Sequence, residues 1–387
     1  MEQVVLLTGG TGSLGSCLLY KLALQLPAAK IYVLCRGTVN EAVQKWEFYM
    51  AEQIDDILDS GKVHCIRGNL NRDGFGLDPD DLKRLQEEVT VVIHAAADIS
   101  LAQSLPDSIQ SDCLPVIRIA SLVQSFKAVK LFAHISSTFA QMHLSAGVVP
   151  ERIVKVADDE PPPQTQLASI LRTGKSPYAH HFITPYAQAK YLAEQLLMEY
   201  HDSFPILIVR PSSISPAVSD PFPQYGPDGA IPLHTFVTLA LARGYDVLEI
   251  INGLPQEFIL DEIPVDLVAN TCLLHVAAGT TGVVHAAAQL YETLTVAEYV
   301  SRARKYAPKD VVERIAANGT KQGQPRQLPL DFHGLLMEEW RDWIFDCQRS
   351  KHLKNTPGPI GLQCTHVCEE VFRERVERWS KRLGVLL

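Results

Sequence analysis

The chain has 387 residues, 47% hydrophobic and 20% charged, enough for one large elaborated α/β domain or for two domains. A formal charge of −9 and a pI near 5.8 argue against nucleic acid or an anionic membrane surface as the main partner, while allowing a local basic pocket. Eight cysteines lie scattered at 17, 35, 65, 113, 272, 347, 364 and 368, and no secretory leader opens the chain. The expected setting is therefore reduced and cytoplasmic.

Apolar β-type runs recur at Val4–Thr8, Ile31–Cys35, Lys62–Ile66, Thr90–His94, Leu131–Ser136, Ile206–Arg210 and Val283–Ala286. Helical patterns at 13–26, 39–59, 79–88, 108–126 and 184–202 separate most of them. This alternation predicts an α/β fold, a Rossmann-type doubly wound parallel sheet of about seven strands, with ligands at the carboxyl ends of the strands. The Pro- and Gln-rich stretch Asp158–Pro177 reads as an irregular excursion. The loop Ser215–Pro232 holds five prolines. Long loops at this edge often build a substrate pocket, so substrate-loop insertions are expected at about 141–183 and 215–262 of a domain spanning 1–290.

Leu267 to Ala288 carries no formal charge over 22 residues, yet Gly279-Thr-Thr-Gly282 breaks it. A helix, a turn and a buried strand fit better than a membrane span, and no transmembrane helix is expected. Beyond 290 the pattern turns mainly helical, at 295–306, 308–317, 332–348 and 366–385, which predicts a smaller cap region over 291–387. A linker at Asn355–Gly361 separates the last two of these. Cys364-Thr-His-Val-Cys368 lacks a second ligand pair at zinc spacing and reads as a helix start with packed thiols, so no metal is expected.

Val4 to Gly15, VVLLTGGTGSLG, is the most informative segment. A strand stops at Thr8 and opens into glycines at 9, 10, 12 and 15, with an amphipathic segment following. Such a turn brings backbone N–H groups and a helix N-terminus against a pyrophosphate. Arg36 follows the second strand directly, where a carboxylate would favour a ribose 2′-hydroxyl and an arginine a 2′-phosphate. Tyr186 and Lys190 stand four apart on one helix face. An ammonium so placed favours phenolate and would lower the tyrosine pKa from about 10 towards neutrality. Ser136-Ser137-Thr138 ends the fifth strand, where hydroxyls can meet a substrate carbonyl oxygen. Thr138 is the first candidate and Ser137 the second.

Together, TGGTGSLG, CRG at 35–37, GNL at 68–70, HAAA at 94–97, HISST at 134–138, YAQAK at 186–190 and RPSSI at 210–214 resemble the extended short-chain dehydrogenase/reductases. Ile263-Pro-Val-Asp-Leu-Val-Ala-Asn270 is similar to a segment of the fatty acyl-CoA reductase, or male-sterility-like, branch and of thioester reductase domains. The likeness runs from about 4 to 288. It implies that Thr8, Gly9, Gly12 and Gly15 hold the pyrophosphate turn, with N–H groups from Ser13 and Leu14. It also implies that Arg36 meets the adenosine phosphate of NADP, that Asn69 and Leu70 flank the adenine, and that Ala95 and Ala96 pass under the cofactor. Tyr186 and Lys190 would meet the nicotinamide end, bordered by Pro211, Ser212 and Ser213. Three positions depart from the pattern: Asn69 for an Asp, Ser13 for an aromatic, and Asp112 where an Asn usually serves the proton relay. A carboxylate at 112 would disfavour phenolate on Tyr186 if close.

The resemblance implies an NADPH-dependent reductase of an acyl thioester, carried on coenzyme A or on a carrier protein in trans, giving an aldehyde or, with a second hydride, the alcohol. Hydride transfer needs the reacting atoms held about 3–3.5 Å apart. Thr138 or Ser137 and Tyr186 would bind the oxygen, with Tyr186 as proton donor and Lys190 beside it. Two other readings stand open at this point. One is a reductase or epimerase of the same fold acting on a ketone, alcohol or nucleotide sugar, and the other is an NADP-sensing protein without turnover.

Overall fold

The computed structural model describes residues 3–226, 256–310, 313, 341–363 and 369–386. Seven parallel strands form one sheet: β1 (Gln3–Thr8), β2 (Ala28–Cys35), β3 (Val63–Arg67), β4 (Val91–His94), β5 (Leu131–Ile135), β6 (Ile206–Pro211) and β7 (Gly282–Ala286). Their order is β7-β6-β5-β4-β1-β2-β3, so the winding reverses between β1 and β4, where Thr8 stands opposite His94. A crevice opens at such a switch point. Every strand the apolar runs predicted is present, and the fold is the doubly wound one.

The strands read as unbroken apolar runs because both faces of the sheet are covered. Val5 and Leu7 point to one core, with Cys17, Leu18, Trp46 and Val268 from the helices Ser13–Tyr20, Val39–Met50 and Val265–Ala277. Leu6 points to the other, with Leu85, Ile119, Ala189 and Leu192 from the helices Pro79–Glu88, Leu114–Val123 and Pro185–Met198.

Several helical boundaries differ from the pattern. The first helix becomes a π-turn over Lys21–Gln25, and the 39–59 segment splits into Val39–Met50 and Ile54–Asp59. The 108–126 segment carries a π-turn at Ile109–Cys113 just before Leu114–Val123. Pro115 accounts for it, since its ring and missing N–H disrupt the regular ladder to residue 111.

The excursion at 158–177 is not irregular throughout. It contains the helix Pro163–Thr173, opened by proline in its first turn and closed by Gly174 at φ 71°. Prolines start this helix rather than break it.

Residues 267–288 form the expected helix, turn and strand. The helix expected at 332–348 is corrected over its described part, where Trp343–Phe345 is a strand paired in parallel with Gly147–Val149. Trp343 and Phe345 are buried while Ile344 faces outward, a period of two that a helix cannot satisfy. The helices Val296–Tyr306 and Glu369–Leu386 match the pattern. The segment 308–317 beyond residue 310 (residue 313 apart), the first part of 332–348, residues 227–255 and the Cys364–Cys368 pair lie outside the described residues.

Candidate active site

The glycine turn is shaped by what its glycines touch. Gly9 has φ +72°, and a Cβ there would lie 2.6 Å from the Ala95 carbonyl group. At Gly15 a Cβ would sit 2.0 Å from the Gly9 carbonyl oxygen, whereas at Gly12 it meets only that oxygen, at 3.4 Å. Gly9 and Gly15 therefore close the turn, and Gly12 leaves it open towards the cleft. Trp46 Nε1 and Ser16 Oγ both donate to the Gly10 carbonyl, at 2.8 and 3.1 Å, and pin the loop to the neighbouring helix. Sequence reasoning did not single out Trp46. As the first residues of the helix, Ser13 and Leu14 carry N–H groups that lack intrahelical acceptors.

The cleft beside this turn has a volume of about 1020 Å³ and is lined by Thr8, Gly9, Gly12, Arg36, Asn69, Leu70, Ala95 and Ala96, all anticipated from the motifs. Thr38, Lys45 and Tyr49 line it as well, and no motif pointed to them. Ser13, Leu14 and Gly15 stand behind the turn rather than in the lining. Pro211 ends β6, and Ser212 and Ser213 follow it, where Ser212 N donates to Ala286 O. The size of the cleft and the close packing under Gly9 and Gly15 fit the adenosine and pyrophosphate portions of a dinucleotide.

The reactive side chains come from the helix Pro185–Met198, whose N-cap Thr184 accepts from Ala187 N at 3.1 Å. Tyr186 and Lys190 are both buried, with the ammonium 5.6 Å from the phenol ring centre. Of the three hydroxyls after β5, Ser136 donates to Glu194 at 2.5 Å, while Ser137 Oγ accepts from Phe139 N at 3.2 Å and lies near the Tyr186 phenol. Thr138 Oγ1 is buried with no hydrogen-bond partner among the described residues. The structure thus brings Ser137, Tyr186 and Lys190 together and sets Thr138 beside them.

Asp112 completes the cluster from the π-turn. Its Oδ1 lies 3.4 Å from Lys190 Nζ, an ion-pair contact without hydrogen-bond alignment, and both side chains are buried. The same Oδ1 accepts from Asp98 N at 3.1 Å, and Oδ2 accepts from Ser111 Oγ at 2.8 Å. The expectation of an acidified phenol is corrected here. Burial pushes Tyr186 up from the ordinary tyrosine value and Asp112 adds to this, against the opposing pull of Lys190 and Ser137. For Lys190, burial acts downward, but Tyr186, Asp112 and Glu194 together hold its pKa above the usual value. Beneath them His94 and His134 stack at 5.4 Å, and burial with the nearby Lys190 charge depresses both, His94 to about 3.

The Ile263–Asn270 segment ends a short strand and opens the helix Val265–Ala277. Glu262–Pro264 pairs in parallel with Ser213–Ser215, and Asp266 accepts from the backbone N–H groups of Val218, Ser219 and Asp220. That carboxylate fixes the start of the 215–226 loop. Tyr225 then donates to Ser13 O at 2.7 Å, tying the loop to the glycine turn.

The sequence model of the male sterility protein family matches residues 7–272, more than half of the chain. The chain belongs to this family. This male sterility family member is 29% identical over 294 residues to fatty acyl-CoA reductase 1 of Xenopus laevis, and 27% identical over 291 residues to fatty acyl-CoA reductase 1 of Homo sapiens. Each alignment covers 70% of the chain and 53% of the relative, so the chain spans about half the length of the curated relatives it matches. Among solved structures it shares its fold with the terminal R domain of the myxalamid PKS-NRPS biosynthetic pathway (TM-score 0.68, 19% identity, covering 100% of this chain and 92% of that one). UDP-glucuronic acid 4-epimerase from Bacillus cereus, in complex with NAD, is similar at TM-score 0.59 and 14% identity, covering 98% of this chain and 97% of that one.

Proposed function

We propose that this chain is an NADPH-dependent reductase of acyl thioesters, coenzyme A-bound or carried on a carrier protein in trans, giving an aldehyde. The observation that carries this reading is the buried cluster of Ser137, Tyr186 and Lys190 at the carboxyl edge of the sheet, in a family member whose curated relatives are named fatty acyl-CoA reductases. When bound, the dihydronicotinamide supplies the hydride. Tyr186 donates its proton to the carbonyl oxygen as negative charge develops there, and Ser137 hydrogen-bonds the same centre. Lys190 holds a positive charge beside the phenol. The hemithioacetal so formed loses thiol to yield the aldehyde.

Arg36 at the cleft mouth, with Lys45 near it, supports a 2′-phosphate and hence NADP over NAD. The described part of the 215–232 loop, residues 215–226, and the described residues after 290 are proposed to bound the acyl site. The six described cysteines are all free, which suits a reduced cytoplasmic setting, and no described helix is long and apolar enough to cross a membrane.

The test is NADPH oxidation against a panel of acyl-CoA and acyl-carrier thioesters, with products identified by mass spectrometry. Thioester-dependent oxidation with release of aldehyde supports the reading. Turnover of a free ketone or a nucleotide sugar without any thioester turnover overturns it in favour of the reductase or epimerase alternative. Cofactor binding without turnover of any substrate overturns it in favour of a sensor.

A further inference from the structure

Asp112 stands in a π-turn, a feature that often marks a functional position because it turns one side chain out of the regular helical register. Here it delivers a carboxylate into a pocket that already contains an ammonium and a phenol. The groups around Tyr186 can be named from every side. Lys190 comes from its own helix, Asp112 from the π-turn, and Ser137 and the Phe139 ring from the segment after β5. Around Lys190 the further groups are Glu194, already paired with Arg210, and the neutral imidazoles of His94 and His134. Asp112 is thus the one carboxylate among these that is not committed to another cation.

Resting on the thioester reading above, we infer that Asp112 is a positioning residue that engages the Lys190 ammonium and so keeps Tyr186 protonated, committing the site to proton donation. Reduction needs a phenol that carries its proton. The carbonyl carbon takes the hydride with its electron pair, the oxygen takes the phenolic proton, and the phenolate left behind is reprotonated from solvent. Oxidation of an alcohol needs the reverse, a phenolate already present as base. A carboxylate 3.4 Å from Lys190 offsets the charge that would otherwise favour phenolate, so it favours the first direction over the second. Its second contact, from Asp98 N, holds the carboxylate on the segment that runs from Ala95 and Ala96 along the cleft.

The experiment is a spectroscopic titration of phenolate in the protein without cofactor or thioester, comparing the wild type with Tyr186→Phe to isolate one of the 12 tyrosines. The Tyr186 midpoint is expected above the ordinary value of about 10. In Asp112→Asn it is expected at least one pH unit lower, a tenfold change in ionisation constant. The alkaline fall in thioester reduction should move down with it, while alcohol oxidation near neutrality should rise. Asp112→Ala provides a second neutral variant should Asp112→Asn fail to fold, and Asp112→Glu should restore the wild-type midpoint. A wild-type midpoint below 10, or a midpoint that neither neutral variant moves, overturns the inference. Because the titration uses no thioester, its outcome is independent of whether thioesters are the substrate.

Discussion

Glu194 grips Arg210 with both oxygens: Nε meets Oε1 at 2.8 Å and Nη2 meets Oε2 at 2.5 Å, with both side chains fully buried. The pair joins the helix of Tyr186 and Lys190 to the last residues of β6, just before Pro211 to Ser213. Glu194→Ala should cost about 3–5 kcal/mol, because it leaves a guanidinium buried without its counter-charge. Urea denaturation of the purified variant measures this. A loss under about 1 kcal/mol would mean that water reaches Arg210 once the carboxylate is gone.

Ser137 and Thr138 make different predictions although they are neighbours. Ser137 lies near the Tyr186 phenol, so Ser137→Ala should lower kcat by about 10²–10³, the scale of a lost oxyanion donor. Thr138→Ala removes a hydroxyl that has no partner among the described residues and should cost less than about tenfold by the same yardstick. Steady-state kinetics of both variants with one active thioester decide the order, and the reverse ranking would restore Thr138 as the principal hydroxyl.

The glycine turn separates packing from ligand contact. Gly15→Ala would drive a Cβ to 2.0 Å from the Gly9 carbonyl oxygen, a backbone atom that cannot swing aside. Both thermal stability and NADPH affinity should fall. Gly12→Ala meets Gly9 O only at 3.4 Å, so it should fold almost as well as the wild type and yet bind NADPH more weakly. Melting curves with and without NADPH separate the two. Equal affinity in Gly12→Ala and the wild type would place the pyrophosphate elsewhere.

How much of this was legible depends on the range of the interactions involved. The sheet was legible because each strand is buried on both faces and announces itself locally, as Leu131–Ile135 does with all five residues buried. The glycines were legible because their spacing encodes a backbone shape. Trp343–Phe345 was not, since its partner Gly147–Val149 lies almost 200 residues away and nothing local distinguishes its aromatic run from a helix. The acidity of Tyr186 also escaped. The i to i+4 spacing with Lys190 was visible, but the depth of burial and the distance from Asp112 to Lys190 are tertiary quantities, and they reverse the sign of the shift. The role of Asp266 was hidden likewise, because its acceptors' donors lie at 218–220, far from it in sequence.

Arg36 is exposed at the edge of the cleft, beside Thr38 and Lys45. Under the NADPH reading, Arg36→Ala should weaken NADPH binding at least tenfold, given that a hydrogen bond to a charged group contributes about 1.5–3 kcal/mol. NADH binding should hardly change. Fluorescence titration of both nucleotides measures the ratio. Equal losses for the two would assign Arg36 to a part of the dinucleotide that they share.

Asp266 bears on substrate rather than cofactor. Its carboxylate gathers three consecutive backbone N–H groups, the shortest from Ser219 at 2.8 Å, at the point where the chain leaves β6 for the proposed acyl wall. Lys21, wholly buried, pairs with Asp220 at 2.8 Å and secures the same stretch from beneath. Removing Asp266 leaves those N–H groups without their acceptor, a cost of about 1–3 kcal/mol for each one that stays buried. The loop should then loosen, while the bonds from Trp46 and Ser16 to Gly10 O keep the glycine turn in shape even if the Tyr225 tie weakens. Asp266→Ala should therefore raise KM for the thioester several-fold with little change in NADPH affinity, and Asp266→Asn, which retains one acceptor oxygen, should fall between. If NADPH affinity drops in parallel with thioester KM, the loop braces the cofactor site as well, and the separation of acyl wall from cofactor cleft is wrong.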